Sequence, residues 1–84
     1  MSKKSIDRFG IVMYEVMADP TLTIQAKGLY ALLSCYANKD RKCFPSISLL
    51  ADTLNVSCDT VSRYIRELKH HNYIKRVGKK LTIK

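Results

Sequence analysis

The chain has 84 residues, 46% of them hydrophobic and 26% charged. That composition suits one small folded domain and excludes a disordered chain. Fifteen Lys plus Arg against seven Asp plus Glu leave +8, which calls for an anionic partner: nucleic acid, acidic lipid or an acidic protein face.

No apolar run approaches the ~20 residues a membrane helix needs. The basic start Met1-Ser2-Lys3-Lys4 has no apolar core or cleavage site behind it, so it does not read as a secretory signal. Cys35, Cys43 and Cys58 are odd in number, widely spaced and form no Cys-x-x-Cys. They read as reduced thiols in a cytoplasmic protein with no membrane partner. Only two Pro and three Gly occur, which leaves no room for a linker, and there is no internal repeat.

Residues 1–8 are polar and expected to fray. Phe9 to Met17 is apolar on both alternating sets, so strand and short helix stay open. Asp19-Pro20 ends that segment. Thr23 is placed to cap the first clear helix, where Leu29, Leu32, Leu33 and Tyr36 repeat at helical spacing. Gly28 inside it costs about 1 kcal/mol against Ala, and close approach of another element is the expected reason. Asn38 to Lys42 reads as a charged loop. Cys43-Phe44-Pro45 reads as a short extended piece, since the residue before proline is pushed toward the β region.

Ser46 is placed to cap a second helix over Ile47 to Leu54, with Ile47, Leu50, Ala51 and Leu54 on one face. Asn55 tolerates the left-handed conformation that ends a helix, and Val56 reads as a buried pivot. Ser57 caps a third helix to about His70, on which Val61, Tyr64, Ile65 and Leu68 are apolar at i, i+3, i+4 and i+7. From Tyr73 on, Ile74 and Val77 flank a basic pair, Gly78 supplies a turn, and Leu81 and Ile83 alternate with Thr82 and Lys84. That pattern is a hairpin.

Two helices joined only through Asn55 and Val56 make a helix-turn-helix. Leu50, Leu54, Val56, Val61 and Tyr64 supply the apolar spacings, and Ala51 is small where the helices cross. A strand before and a hairpin after turn the motif into a winged helix. The fold expected is mainly α with a small β-hairpin: three helices plus a wing, in a single domain over 1–84 with the helix-turn-helix at 46–70 and the wing at 73–84. Charge agrees. Residues 57–84 hold eight basic side chains against Asp59 and Glu67, a net +6, and residues 1–56 hold only +2.

At these residues the chain resembles winged helix-turn-helix domains of replication-initiation and replisome-organiser proteins from Gram-positive phages and plasmids. Met17-Ala18-Asp19-Pro20, Leu22 through Lys27 and Leu29-Tyr30-Ala31-Leu32-Leu33 carry part of the likeness. Asn38, Cys43-Phe44-Pro45-Ser46, Leu50-Ala51 and Leu54-Asn55-Val56-Ser57 carry more. Thr60 through Leu68 and Tyr73-Ile74 complete it, so the likeness spans Val16 to Ile74. It implies double-stranded DNA binding in replication or in transcriptional control of a mobile element. Asn72 stands where that family usually has Gly. Full-length replication proteins of this kind carry a further C-terminal domain, so the chain is expected to be a DNA-binding fragment or a minimal regulator.

The exposed N-terminal half of the third helix offers Ser57, Asp59, Thr60, Ser62 and Arg63 for base contacts, with Arg63 the candidate for a bidentate bond to guanine. Capping is the competing role for Ser57, and helix-dipole stabilisation for Asp59. Arg66, Lys69, Lys75, Arg76, Lys79 and Lys80, with Ser46 at a helix start, are the candidates for phosphate contacts. A solvated charge run, with Glu67 as a local partner, is the competing reading there. Tyr30, Tyr36, Tyr64 and Tyr73 read as core or domain-edge aromatics. Adjacent helical residues such as His70-His71 point ~100° apart and do not readily chelate one metal. Cys58 at a helix start reads as a small side chain ahead of a redox group. No catalytic constellation is spaced for work, so the chain reads as a non-enzyme without cofactor. A rival reading is a winged-helix protein-interaction module with an acidic partner. A homodimer on paired half-sites, with Phe9 to Met17 as its surface, and contacts to other replication or regulatory proteins complete the expected partners.

Overall fold

The computed structural model describes residues 10–37, 40–43, 45–78 and 80–84. The order is α1 (Tyr14–Met17), α2 (Ile24–Tyr36), β1 (Lys42–Cys43), α3 (Ile47–Leu54), α4 (Cys58–His70), β2 (Ile74–Val77) and β3 (Lys80–Ile83). The three expected helices are α2, α3 and α4. The open segment contributes one extra turn, α1, while Phe9, like Asn38, Lys39, Phe44 and Lys79, lies outside the described residues.

Each long helix starts on a hydroxyl. The side chains of Thr23, Ser46 and Ser57 accept from the amides of Ala26, Leu49 and Thr60 respectively. This satisfies donors that have no partner inside the helix. Asn55 ends α3 in the left-handed region at φ 59°, ψ 46°. Asn72 does the same after α4, at φ 63°. Asn reaches this region far more readily than most residues, so the departure from Gly at 72 keeps the required conformation. Gly78 is left-handed too, at φ 63°, in the two-residue turn between β2 and β3.

The wing is more than a hairpin. β3 lies in the middle of an antiparallel three-stranded sheet, order β1-β3-β2. Lys42 pairs with Thr82 and Cys43 with Leu81 on one side, and Ile74 with Ile83 through Val77 with Lys80 on the other. Lys42, expected in the loop, is therefore a strand residue, and Lys80 belongs to β3 rather than to the turn. The missed pairing joins segments about forty residues apart, beyond the reach of local pattern.

The core lies between α2, α3, α4 and the sheet. Leu29, Tyr30, Leu33, Leu50, Val61 and Leu68 are fully buried. Truncating a buried leucine such as Leu68 removes ~2–5 kcal/mol, a large share of a small domain's margin. Val56 and Tyr64 are half-buried against this cluster rather than inside it. Tyr30 carries a polar centre into the interior. Its hydroxyl accepts from the Met13 amide at 3.1 Å and donates to the Lys84 carbonyl at 2.9 Å. Arg41 donates to that same carbonyl at 2.6 Å and to the Ile11 carbonyl at 2.8 Å. The segment before α1 is thereby tied to the end of β3.

Gly28 is corrected. A Cβ there would meet nothing within 4 Å, so no element approaches it. Close approach occurs instead at Gly10, where a Cβ would fall 2.6 Å from the Ser34 carbonyl carbon and oxygen. Gly28→Ala should therefore stabilise the domain by about 0.5–1 kcal/mol, read as a higher denaturant midpoint at unchanged slope. A lower midpoint would mean that the helix surface at 28 is not open.

Candidate nucleic-acid interface

α4 buries Val61, Ile65 and Leu68 and thereby turns Asp59, Ser62, Arg63, Arg66, Lys69 and His70 to solvent. These positions share one helix face at 3.6 residues per turn. At its N-terminal end, Ser57 Oγ lies 2.8 Å from Thr60 Oγ1 and accepts from the Thr60 amide at 3.2 Å. Both hydroxyls are thus engaged in the cap, and Thr60 is half-buried. Asp59 sits exposed in the first turn, where a negative charge complements the helix dipole.

Two shallow grooves flank the exposed face. One, of about 620 Å³, runs between the start of α2 and α4 past Thr23, Gln25, Arg63, Arg66, Glu67 and His70. The other, of about 170 Å³, lies between α3, α4 and β2 and is lined by Ile47, Ser62, Ile65, Arg66, Lys69 and Arg76. Arg66 borders both, so it stands on the crest of the helix rather than on its flank. Arg76 and Leu81 are cross-strand partners, which places Arg76 on the core side of the sheet. From there it reaches the groove that holds Lys69. Its Nε donates to the Gly78 carbonyl at 3.1 Å, which braces the turn of the wing. Lys75 borders an adjoining hollow with Lys69, Asn72 and Arg76. Lys80, opposite Val77, is half-buried. Arg76 joins the helix group, strand parity puts Lys80 on the opposite face of the sheet from Arg76, and Lys79 lies outside the described residues. Ser46 is exposed, with its side chain accepting from Leu49.

Glu67 is the second correction. It is not a local partner of Arg66 or Lys69. Its Oε2 accepts from the Thr23 amide at 2.7 Å, and its Oε1 from the Thr23 hydroxyl at 2.9 Å. The carboxylate thus completes the cap of α2, 44 residues away in sequence. The bond fastens α4 to α2 and leaves the arginines and lysines of the exposed face without an acidic partner among the described residues. Sequence spacing missed this because a long-range cap has no local signature.

Next to it, Asp19 gathers three donors: the Thr21 hydroxyl at 2.6 Å, the Thr21 amide at 2.8 Å and the Tyr73 hydroxyl at 2.6 Å. These bonds, led by the Thr21 hydroxyl, hold its carboxyl at about 2, and the bond to Asp19 pushes the Tyr73 phenol up. Burial pushes the Cys43 thiol up as well. His70 and His71 meet edge to face with ring centroids 5.6 Å apart. Among the described residues no three His, Cys, Asp or Glu side chains gather as metal ligands.

The stretch that positions all these groups, residues 21–74, matches a family model described as a helix-turn-helix domain. The chain belongs to the helix-turn-helix domain family. The match runs from the loop before α2 to the first residue of β2, so the helix-turn-helix domain comprises α2, β1, α3 and α4, and the wing extends beyond it. No curated protein matches the chain. Among the described residues, no helix of the helix-turn-helix domain is long and apolar enough to cross a membrane.

The Asp19 cluster gives a pH prediction. Its carboxyl falls from 3.8 to about 2 on folding, so its contribution is complete above pH 4 and is lost as the pH falls toward about 2. Acid unfolding followed by circular dichroism should show this loss, and Asp19→Asn should flatten that part of the profile. An unchanged acid limb in the variant would contradict the network.

Proposed function

We propose that this helix-turn-helix domain binds double-stranded DNA with sequence preference, placing α4 in the major groove and the wing along the backbone or minor groove. The observation that carries the reading is the joining of Arg66 and Lys69 of α4 with Arg76 of β2 around one groove, with Glu67 drawn away into the α2 cap. Such a surface follows a line of phosphates while its central side chains reach base edges.

Arg63 and Ser62 are assigned to base edges, with Arg63 bidentate to guanine. Arg66, on the crest, serves phosphate or base, and the selectivity of its variant decides which. Ser57, Asp59 and Thr60 act chiefly through the helix start, with their exposed edges toward the bases. Lys69, Lys75, Arg76, Lys79 and Lys80 hold phosphates, and the amides at Ser46 add a neutral contact. Replication initiation or transcriptional control in a mobile element is the process the sequence resemblance favours, with binding in the cytoplasm and a homodimer on paired half-sites as the simplest assembly.

One observation favours the second reading, a protein-interaction module. Ile11 and Tyr14 are 66% and 83% exposed beside half-exposed Val12 and Met13, an unusual run of apolar side chains at the surface. Duplex binding by fluorescence anisotropy separates the two. For the parent, affinity should fall steeply with salt as counterions are released. Arg63→Ala should cost about 1–3 kcal/mol on a selected site and little on random DNA. Lys75→Ala and Arg76→Ala should weaken both equally and lower the salt slope by about one each. A flat salt dependence, or variants that bind like the parent, would transfer the case to the protein partner.

A further inference from the structure

The two grooves beside α4 stand on opposite sides of Arg66. At ~100° per residue, Arg63, Glu67 and His70 fall about 40–100° to one side of it, and Ser62, Ile65 and Lys69 about 40–100° to the other. The first set lines the groove toward α2, and the second lines the groove toward α3 and β2. A helix with its side chains is ~10–12 Å across, and the major groove of a duplex is ~12 Å wide. A helix seated there fills the groove from wall to wall, so the phosphates of one strand run along each of its flanks. The groove with Lys69 and Arg76 answers to one strand. The other groove, of about 620 Å³, then faces the opposite strand.

That second groove is differently equipped. Across from α4 it is walled by Thr23 and Gln25 at the start of α2. Both Glu67 carboxylate oxygens accept bonds from Thr23, at 2.7 and 2.9 Å, so this wall is pinned to α4 before any ligand arrives. Arg63 and Arg66 share the groove with that carboxylate, whereas the charged residues of the other groove, Arg66, Lys69 and Arg76, are all cations. Gln25 supplies a further polar group. Its side chain is exposed and makes no hydrogen bond to any described residue. A carboxamide donates two hydrogen bonds without carrying charge, and phosphate oxygens accept such bonds from glutamine.

We propose that the groove between α2 and α4 seats the DNA strand opposite the one held at Lys69 and Arg76, with Gln25 as an uncharged contact to its phosphates. α2 then belongs to the DNA-binding surface, and the domain grips both walls of the major groove. Counterion release follows the charge neutralised, so the Gln25 contact adds affinity without adding salt dependence, unlike Lys69 and Arg76. A phosphate contact also adds affinity equally on all sequences. The seating of this second strand rests on the DNA binding proposed above.

Two readouts on the full chain test it. In salt titrations by fluorescence anisotropy, Gln25→Ala should bind selected and random duplexes several-fold more weakly than the parent, with an unchanged salt slope and an unchanged urea midpoint. Arg76→Ala should lower the slope. In the second readout, single phosphates of a selected duplex are replaced by neutral methylphosphonates, one position at a time on both strands. For the parent, the sensitive positions should form two rows, one on each strand across the major groove. Gln25→Ala should lose sensitivity in one row alone, and Arg76→Ala in the other alone. Sensitive phosphates on a single strand, or Gln25→Ala binding like the parent, would overturn the second seat. A Gln25→Ala loss confined to the selected duplex, or one that comes with a lowered urea midpoint, would overturn the phosphate contact. A parent that binds no duplex at all would overturn the proposed function itself and the second seat with it, an outcome distinct from the others.

Discussion

The apolar stripe of α4 must be buried on two sides at once. α2 and α3 both pack against α4, and Leu29, Leu33, Leu50 and Ala51 are buried in the shared core. The remaining face of α4 is exposed among the described residues, and it carries arginines and lysines, because exposed positions on a packed helix take charge at little cost. The exposed ridge between two grooves is the geometric result.

The ends of α4 are held as firmly as its middle. Asn55 and Asn72 place left-handed turns before and after it, so the helix has a defined start against α3 and a defined stop before the wing. Glu67 and His71 then fasten its last turns to the region around Thr21 and Thr23. These polar ties do what apolar packing does poorly. Apolar contact tolerates sliding, whereas a carboxylate on an amide and a hydroxyl admits one register. With Glu67 engaged at Thr23, the groove of Arg66, Lys69 and Arg76 has no acidic side chain among its lining residues.

Most of the helical architecture was legible in the sequence, because its signals are local. Hydroxyl caps at Thr23, Ser46 and Ser57, the left-handed Asn55 and the stripe on α4 each occupy a window of a few residues. What the sequence hid was long-range or conformational. The pairing of β1 with β3 joins distant segments, and two residues of strand leave almost no periodicity. Gly28 looked like a packing site because a helical glycine usually has a reason, and here the open surface offers none. Of the site, the identity of the cations was readable but not their grouping. Strand parity sends Arg76 toward α4 and leaves Lys80 elsewhere, and Glu67 looked like a local ion-pair partner until its bond to Thr23 was seen. Tyr30 held a usable clue, since a tyrosine at a core position needs a partner for its hydroxyl.

The central claim is that the outward face of α4 and the inner edge of the wing form a single DNA-binding surface. Titrating 15N-labelled protein with a short duplex and following amide shifts tests this most directly. The account predicts that shifts concentrate at Ser62, Arg63, Arg66, Lys69, Lys75 and Arg76 and fade together as salt is raised. Shifts confined to Ile11 through Tyr14, or no shifts at low salt, would contradict it.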